Sequence, residues 1–167
     1  VIVGNAIGGE KHYDTNMHIE FPDFARSVTR SPSFAALPGS VRAAVLAEAR
    51  TAFFDGFAGV TEDTMPGELA NVIAGRVANL FNFRGPNFVV DAACASAIAA
   101  IGAAIEGLEE EEFDAVLTGG VDANMSPSTF IKFSKIGALS ATGTRPYAAG
   151  ADGFVMGEGS ALFVLKR

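Results

Sequence analysis

The nearly uncharged run from Phe88 to Ile105, broken only by Asp91, constrains the fold more than any other stretch. Its first part, Asn87-Phe88-Val89-Val90-Asp91, is a short strand whose apolar residues run continuously, as in a sheet covered on both faces. Gly85-Pro86 separates that strand from what precedes it. The second part, Ala95 to Leu108, is almost wholly Ala, Gly and Ile. It predicts a helix that is apolar around most of its circumference, buried centrally and packed close to its neighbours. Between the two lies Asp91-Ala92-Ala93-Cys94-Ala95-Ser96-Ala97, so the sole cysteine of the chain stands where a strand turns sharply into a helix. The run falls short of the roughly 20 apolar residues of a spanning helix, and no membrane segment is predicted.

Around this unit, four apolar strand candidates alternate with helical patterns, the order of an α/β layered domain. Val1-Ile2-Val3-Gly4 opens the chain inside a buried strand. Ala115 to Thr118 is the third strand, running into a Gly119-Gly120 turn, and the last runs from about Ser160 to Leu165 after a long glycine-containing loop. Pro38 to Phe54 carries Val41, Val45, Leu46, Ala49 and Phe53 at helical spacing, and Gly56 and Gly59 stop it. A further helix has Pro66 in its first turn and Leu69, Val72, Ile73, Val77, Leu80 and Phe81 on one face.

Gly8-Gly9 opens a polar stretch holding His12 and His18, punctuated by Pro22 and Pro32, which reads as loop with both histidines solvated. Their spacing does not put both on one face of a helix. The run Glu109 to Glu112 reads as a solvated helix end, with no histidine nearby to complete a metal site. No metal-binding or cofactor-binding residue is predicted.

Nineteen acidic against twelve basic residues give a net charge of −7, which disfavours nucleic acid as a partner. One cysteine excludes an intrachain disulfide framework and a multi-cysteine zinc site, and it fits a reducing compartment, so a cytoplasmic location is expected. Gly157-Glu158-Gly159 lacks the third glycine of a dinucleotide fingerprint, and no P-loop pattern occurs. The chain opens without Met and ends on an apolar run followed by Lys166 and Arg167, which leads us to expect a piece of something longer.

A side chain at the Cys94 turn projects from the top of the sheet, as at the nucleophile elbow of hydrolases. The helix N-terminus supplies partial positive charge and free N–H groups, which favour a thiolate and can hold an oxyanion. Those are the needs of thioester exchange, and the flanking alanines leave room for an acyl chain. Position alone leaves a second reading open, that Cys94 is a small buried hydrophobe. Asp91 is similarly open, since it could merely cap the helix or support the turn. A Cys–His hydrolase would need a histidine close to Cys94.

The string Asp91-Ala92-Ala93-Cys94-Ala95-Ser96 resembles the active-site motif of β-ketoacyl synthases, particularly those of multidomain polyketide and polyunsaturated fatty-acid synthases. The preceding Gly75-Arg76-Val77-Ala78-Asn79 with Arg84-Gly85-Pro86, and then Gly119-Gly120-Val121, Gly137-Ala138-Leu139-Ser140, Arg145-Pro146-Tyr147, Ala151-Asp152-Gly153-Phe154 and Gly157-Glu158-Gly159, all occur in the family's order. The resemblance is strong from about Thr64 to Arg167 and weaker, though continuous, back to Val1.

The resemblance implies a thiolase-like layered α/β fold, with a mixed sheet and a buried helix after the nucleophile. Residues 1–167 would then be a single partial domain, the N-terminal half of a ketosynthase without its first strand or strands and without its C-terminal half. It implies an acyltransferase that takes an acyl group from the phosphopantetheine arm of an acyl carrier protein onto Cys94. A malonyl-type extender then loses CO2 and attacks that thioester. No cofactor is implied as directly bound, and the complete domain is expected to be a homodimer. The Cys94 N–H is implied in an oxyanion hole, and Phe133, placed by counting between Pro127 and Leu139-Ser140, as a gate of the acyl pocket; ordinary core packing is the other reading of Phe133.

Two positions depart from the family pattern: Ala97 stands where Ser is frequent, and Ala148 where an acidic residue usually follows. The family's two histidines and lysine come from the C-terminal half, and His12 and His18 carry no His-Gly-Thr-Gly-like context. The chain alone is therefore expected to be unable to condense acyl groups, although its thiol could still be acylated. The alternative is a noncatalytic relative that only helps set chain length, disfavoured because those typically replace the cysteine kept here.

Overall fold

The computed structural model describes residues 1–9 and 11–167, which divide into two compact units. One is helical and comprises α1 (Lys11–Arg30), α2 (Pro32–Ala35), α3 (Gly39–Phe54) and α4 (Thr64–Glu68). The predicted loop that carries both histidines is instead the long helix α1, with Pro22 inside it. Proline removes one backbone donor and crowds the preceding turn. Offsetting this, the neighbouring Phe21 is buried, with ring centroids 5.1 Å from Phe53 and 5.0 Å from Phe54. His18 is stacked on Phe54 at 4.3 Å and 15°, so it is a packing residue and not a solvated one. His12 lies beside Tyr13, with centroids 3.8 Å apart. The helix α3 was expected from its periodicity, yet it buries no residue fully, and Val41 and Val45 remain exposed.

The other unit holds the sheet. Its elements in chain order are β1 (Ile2–Gly4), α5 (Asn71–Leu80), β2 (Phe88–Val90), α6 (Ser96–Glu109), β3 (Ala115–Asp122), α7 (Pro127–Lys135) and β4 (Gly159–Lys166). The strand order is β2-β1-β3-β4, with β1 parallel to both neighbours and β4 antiparallel to β3. Successive side chains point to opposite faces, and the two cores follow from that. On one face Ile2 and Val116 pack with Ala100, Ala104 and Leu108 of α6. On the other, Val1 and Val3 pack with Ala74 and Ala78 of α5. The sheet is thus covered on both faces near β1, as its unbroken apolar sequence demands. β2, however, lies at the edge, and its Phe88 is exposed.

Three expectations are corrected in this unit. The helix predicted from Pro66 is broken at Leu69-Ala70 into α4 and α5, and its buried residues are the small Ala74 and Ala78, while Leu80 and Phe81 are exposed. Gly119-Gly120 is not a turn but the middle of β3, paired with Leu162 and Ala161 of β4. Gly119 has φ +149°, and a side chain there would run into the Ala161 carbonyl. The helix after Cys94 buries one face only: Ser96, Ala100, Ala104, Gly107 and Leu108 are inside, whereas Ile98 is 72 % exposed.

What sets α6 so close to the sheet is the absence of side chains at the contact. A Cβ on Gly4 would collide with the backbone of Ser96 and Ala97, and one on Gly120 would lie 2.7 Å from the Ala97 Cβ. The glutamate run ends α6 as expected: Glu109 is its last residue and Glu111 turns the chain with φ +62°. The helix α7 was not anticipated; Ser126 caps it by accepting from the Thr129 N–H, and Pro127 occupies its first turn. No helix among the described residues is long and apolar enough to cross a membrane.

Candidate active site

Parallel strands end together, and their carboxyl ends leave a crevice where chain connections diverge to either side. Here β1 is that divergence point, with β2 on one side and β3 on the other. A cavity of about 980 Å³ lies there, lined by Gly4 to Ile7 where β1 ends, by Asp91 with Cys94 beyond β2, and by Gly119 to Asp122 in the second half of β3.

The Cys94 turn is held by a short set of bonds. Asp91 Oδ1 accepts from the Ala93 N–H at 3.0 Å. The Ser96 hydroxyl accepts from the Ala92 N–H at 2.9 Å and donates to the Ala93 carbonyl at 2.6 Å. The Ala95 and Ser96 N–H groups close onto the Ala92 and Ala93 carbonyls, both at 3.1 Å. This sharpness forces Ala93 to φ +51°, a left-handed conformation that costs a residue with a Cβ about 1–2 kcal/mol. Cys94 emerges exposed, two residues before the first residue of α6. It is therefore not a buried hydrophobe.

Phe133 sits on α7 and lines the same cavity. Its ring meets Phe154 edge-on at 5.5 Å and 78°. Phe154 is fixed in turn by its N–H to the Ala138 carbonyl at 3.0 Å and by its carbonyl, which accepts from the Ser140 N–H at 2.9 Å. Next to that pairing the Ser140 hydroxyl donates to Asp152 at 2.7 Å and accepts the Thr142 and Gly143 N–H groups, each at 3.1 Å. Arg145 lies 3.3 Å from the same carboxylate. The Ser140 hydroxyl foremost, and then Arg145 and Thr142, hold the Asp152 carboxyl below its ordinary value, against a weaker desolvation effect.

The two departures noted in the sequence find places in this geometry. Ala97 is the residue Gly120 packs against, and it also lines the cavity. Ala148 is exposed, its N–H donating to the Arg145 carbonyl at 3.3 Å, and the Arg145 charge is met by Asp152. Asp91 supports the turn through its side chain. His12 and His18 belong to the helical unit, and the residues lining the cavity include no histidine. Among the described residues no group of three His, Cys, Asp or Glu could hold a metal ion.

Sequence reasoning missed Ser96 as the staple of the turn and two asparagines at the strand ends. Asn5 and Asn124 are both buried and both line the cavity. Asn5 donates to the Val121 carbonyl at 2.9 Å, bridging β1 to β3. Ser96 had a visible signal, since a hydroxyl at the first helical turn commonly bonds local backbone. The asparagines had none, because a polar residue after a buried strand reads as the start of a loop.

Fold and site together define a thiolase-like layered α/β protein with a lone cysteine over the carboxyl ends of its parallel strands. The family model described as "Beta-ketoacyl synthase, N-terminal domain" matches residues 34–167, and the chain belongs to the β-ketoacyl synthase family of condensing enzymes. It is 49 % identical over 94 residues, 56 % of its length, to one component of a phenolphthiocerol/phthiocerol polyketide synthase of Mycobacterium tuberculosis, of which it covers 5 %. It is 43 % identical over 106 residues, 63 % of its length, to one component of a polyunsaturated fatty acid synthase of a Thraustochytrium species, of which it covers 4 %. The chain thus spans about one-twentieth of the length of these curated relatives.

Among solved structures, an oxazolomycin ketosynthase domain of Streptomyces albus superposes over the whole chain and 23 % of its own length, with TM-score 0.65 and 23 % identity. The ketosynthase from module 6 of the Bacillus subtilis bacillaene synthase matches 60 % of the chain and 18 % of its own length, with TM-score 0.58 and 33 % identity.

Proposed function

We propose that Cys94 is the acyl-accepting nucleophile of a condensing enzyme that extends acyl chains delivered by a carrier protein. The observation that carries this reading is the exposed thiol at a strained turn held by the Asp91 and Ser96 side chains, opening into a cavity of about 980 Å³. In the first stage the Cys94 thiolate attacks the carbonyl carbon of an acyl-phosphopantetheine thioester. The new carbon–sulfur bond forms as the old one breaks, and the carrier's thiolate leaves and takes up a proton. The Cys94 backbone N–H, beside the N-terminus of α6, is the donor we assign to the developing oxyanion.

Phe133 is the gate of the acyl pocket in this reading, poised at the cavity wall by its edge-on contact with Phe154. In the second stage a malonyl-type extender loses CO2, and the resulting carbanion attacks the Cys94 thioester; the new carbon–carbon bond forms as the bond to the Cys94 sulfur breaks, which gives a β-ketoacyl carrier and returns the Cys94 thiolate. Two histidines and a lysine perform that stage in the family, and the cavity lining offers neither residue type. The chain is read as part of one ketosynthase domain, dimeric when complete, and as the half that accepts the acyl group. Incubated alone with acyl- and malonyl-charged carrier protein, it is expected to yield no β-ketoacyl product; product that disappears in Cys94→Ala would overturn that division of labour.

A further inference from the structure

The chain leaves β1 through a corner, Asn5 to Gly8, that forms one wall of the cavity. Two consecutive residues there are left-handed, Ile7 at φ +69° and Gly8 at φ +77°. Glycine adopts such a conformation freely, but for a β-branched residue it is a genuine outlier that persists only where its surroundings impose it. Burial does not impose it, because Ile7 is 55 % exposed.

The imposing group is Asn124, just past the end of β3. Its amide nitrogen donates toward the Gly8 carbonyl at 3.0 Å, the Asp122 carboxylate at 2.6 Å and, more weakly, the Ala6 carbonyl at 3.4 Å. Two N–H groups serve three acceptors, and two of these are the carbonyls on either side of Ile7. Asn124 is buried at 3 % exposure and its side-chain oxygen accepts no bond, so its whole polar function lies on the donor side. Asp122 holds the amide in the orientation that presents those donors.

We propose that Asn124 is a positioning residue: it clamps the Ala6–Gly8 corner in its left-handed form and thereby fixes the cavity wall facing Cys94. The effect on acyl transfer rests on the nucleophile reading above, whereas the clamp itself does not. Without the amide donors the corner relaxes toward ordinary φ, and the wall of the cavity moves with it. With glycine at position 7 nothing is strained, and the clamp becomes redundant.

A double-mutant cycle on the intact protein tests this, with Asn124→Ala, the isosteric Asn124→Asp, Ile7→Gly and the Ile7→Gly/Asn124→Ala pair. Thermal midpoints are measured together with the ratio of Cys94 acylation rates by a long-chain and a short-chain acyl thioester. Both Asn124 variants are expected to lower the midpoint and to shift the ratio by at least about threefold, the size of coupling usual for residues in contact. In the Ile7→Gly background the same Asn124 change should leave midpoint and ratio nearly unmoved. If Asn124→Ala does not fold, recovery of folding in the pair supports the clamp. Equal losses in both backgrounds, an Asn124→Asp variant that behaves as wild type, or a pair that stays unfolded would overturn it. Absence of any Cys94 acylation in the wild type would count against the nucleophile reading, and the midpoints would still decide the clamp.

Discussion

Ser96 does more for the Cys94 turn than its place in the motif advertises, because one hydroxyl both accepts from the Ala92 N–H and donates to the Ala93 carbonyl. Removing it strands a backbone donor at a partly buried site, which costs about 1–3 kcal/mol. Ser96→Ala is therefore expected to lower the urea midpoint of the sheet-containing unit clearly, while Ser96→Thr, which keeps the hydroxyl, falls between; an unchanged midpoint in the alanine variant would remove the staple from the account. Asp152 yields a pH prediction. Its folded-state pKa lies below the ordinary 3.8, chiefly through the Ser140 hydroxyl. The ionised carboxylate is the form the fold favours, so its contribution is present above pH 3.8 and is lost as the pH falls through the lower folded value. Asp152→Asn should flatten the acid limb of a stability–pH curve in that window, and an identical acid limb would contradict the role given to the carboxylate.

At the scale of elements, the strand-to-helix unit was legible because its composition admits few alternatives. The order strand, turn and helix followed from that composition; the extent of burial did not follow, since β2 is an edge strand with Phe88 exposed and α6 buries one face only. Largely Ala, Gly and Ile, α6 lies close against the sheet. Gly4 shows how close. Gly4→Ala would drive a methyl group into the first turn of α6, and relaxing that overlap costs about 1–3 kcal/mol or more. Gly102 in the same helix meets nothing within 4 Å, so Gly102→Ala should stabilise by about 0.5–1 kcal/mol through helix propensity alone. Chemical denaturation of the two variants checks both signs, and a destabilised Gly102→Ala would mean that the outward face of α6 is not open. The elements that were not legible failed for identifiable reasons. Pro22 and the polar run after Gly9 mask α1, whose helical conformation is supported by aromatic packing around Phe21 and His18 that no local pattern announces. The helix α7 opens on Met125-Ser126-Pro127-Ser128-Thr129, which reads as loop until Ser126 is recognised as a cap and Pro127 as a first-turn residue.

For the molecule as a whole, the cavity is a product of topology. Cys94, Phe133, Asn5, Asn124 and Gly120 are scattered along the chain, and they meet because three parallel strands end on the same side and α7 follows β3 directly. The Cys94 turn could be read from its own residues, and the family could be read from motifs in order. The meeting of Asn124 with the corner at Ile7, and of Asn5 with the Val121 carbonyl, could not, since both depend on the pairing of β1 with β3. Whether the thiol at this turn exchanges thioesters is read by intact-mass spectrometry with peptide mapping. After incubation with an acyl-phosphopantetheine thioester, a single acyl adduct is expected on Cys94, absent from Cys94→Ala. Unmodified protein, or an adduct that persists in the alanine variant, would contradict it.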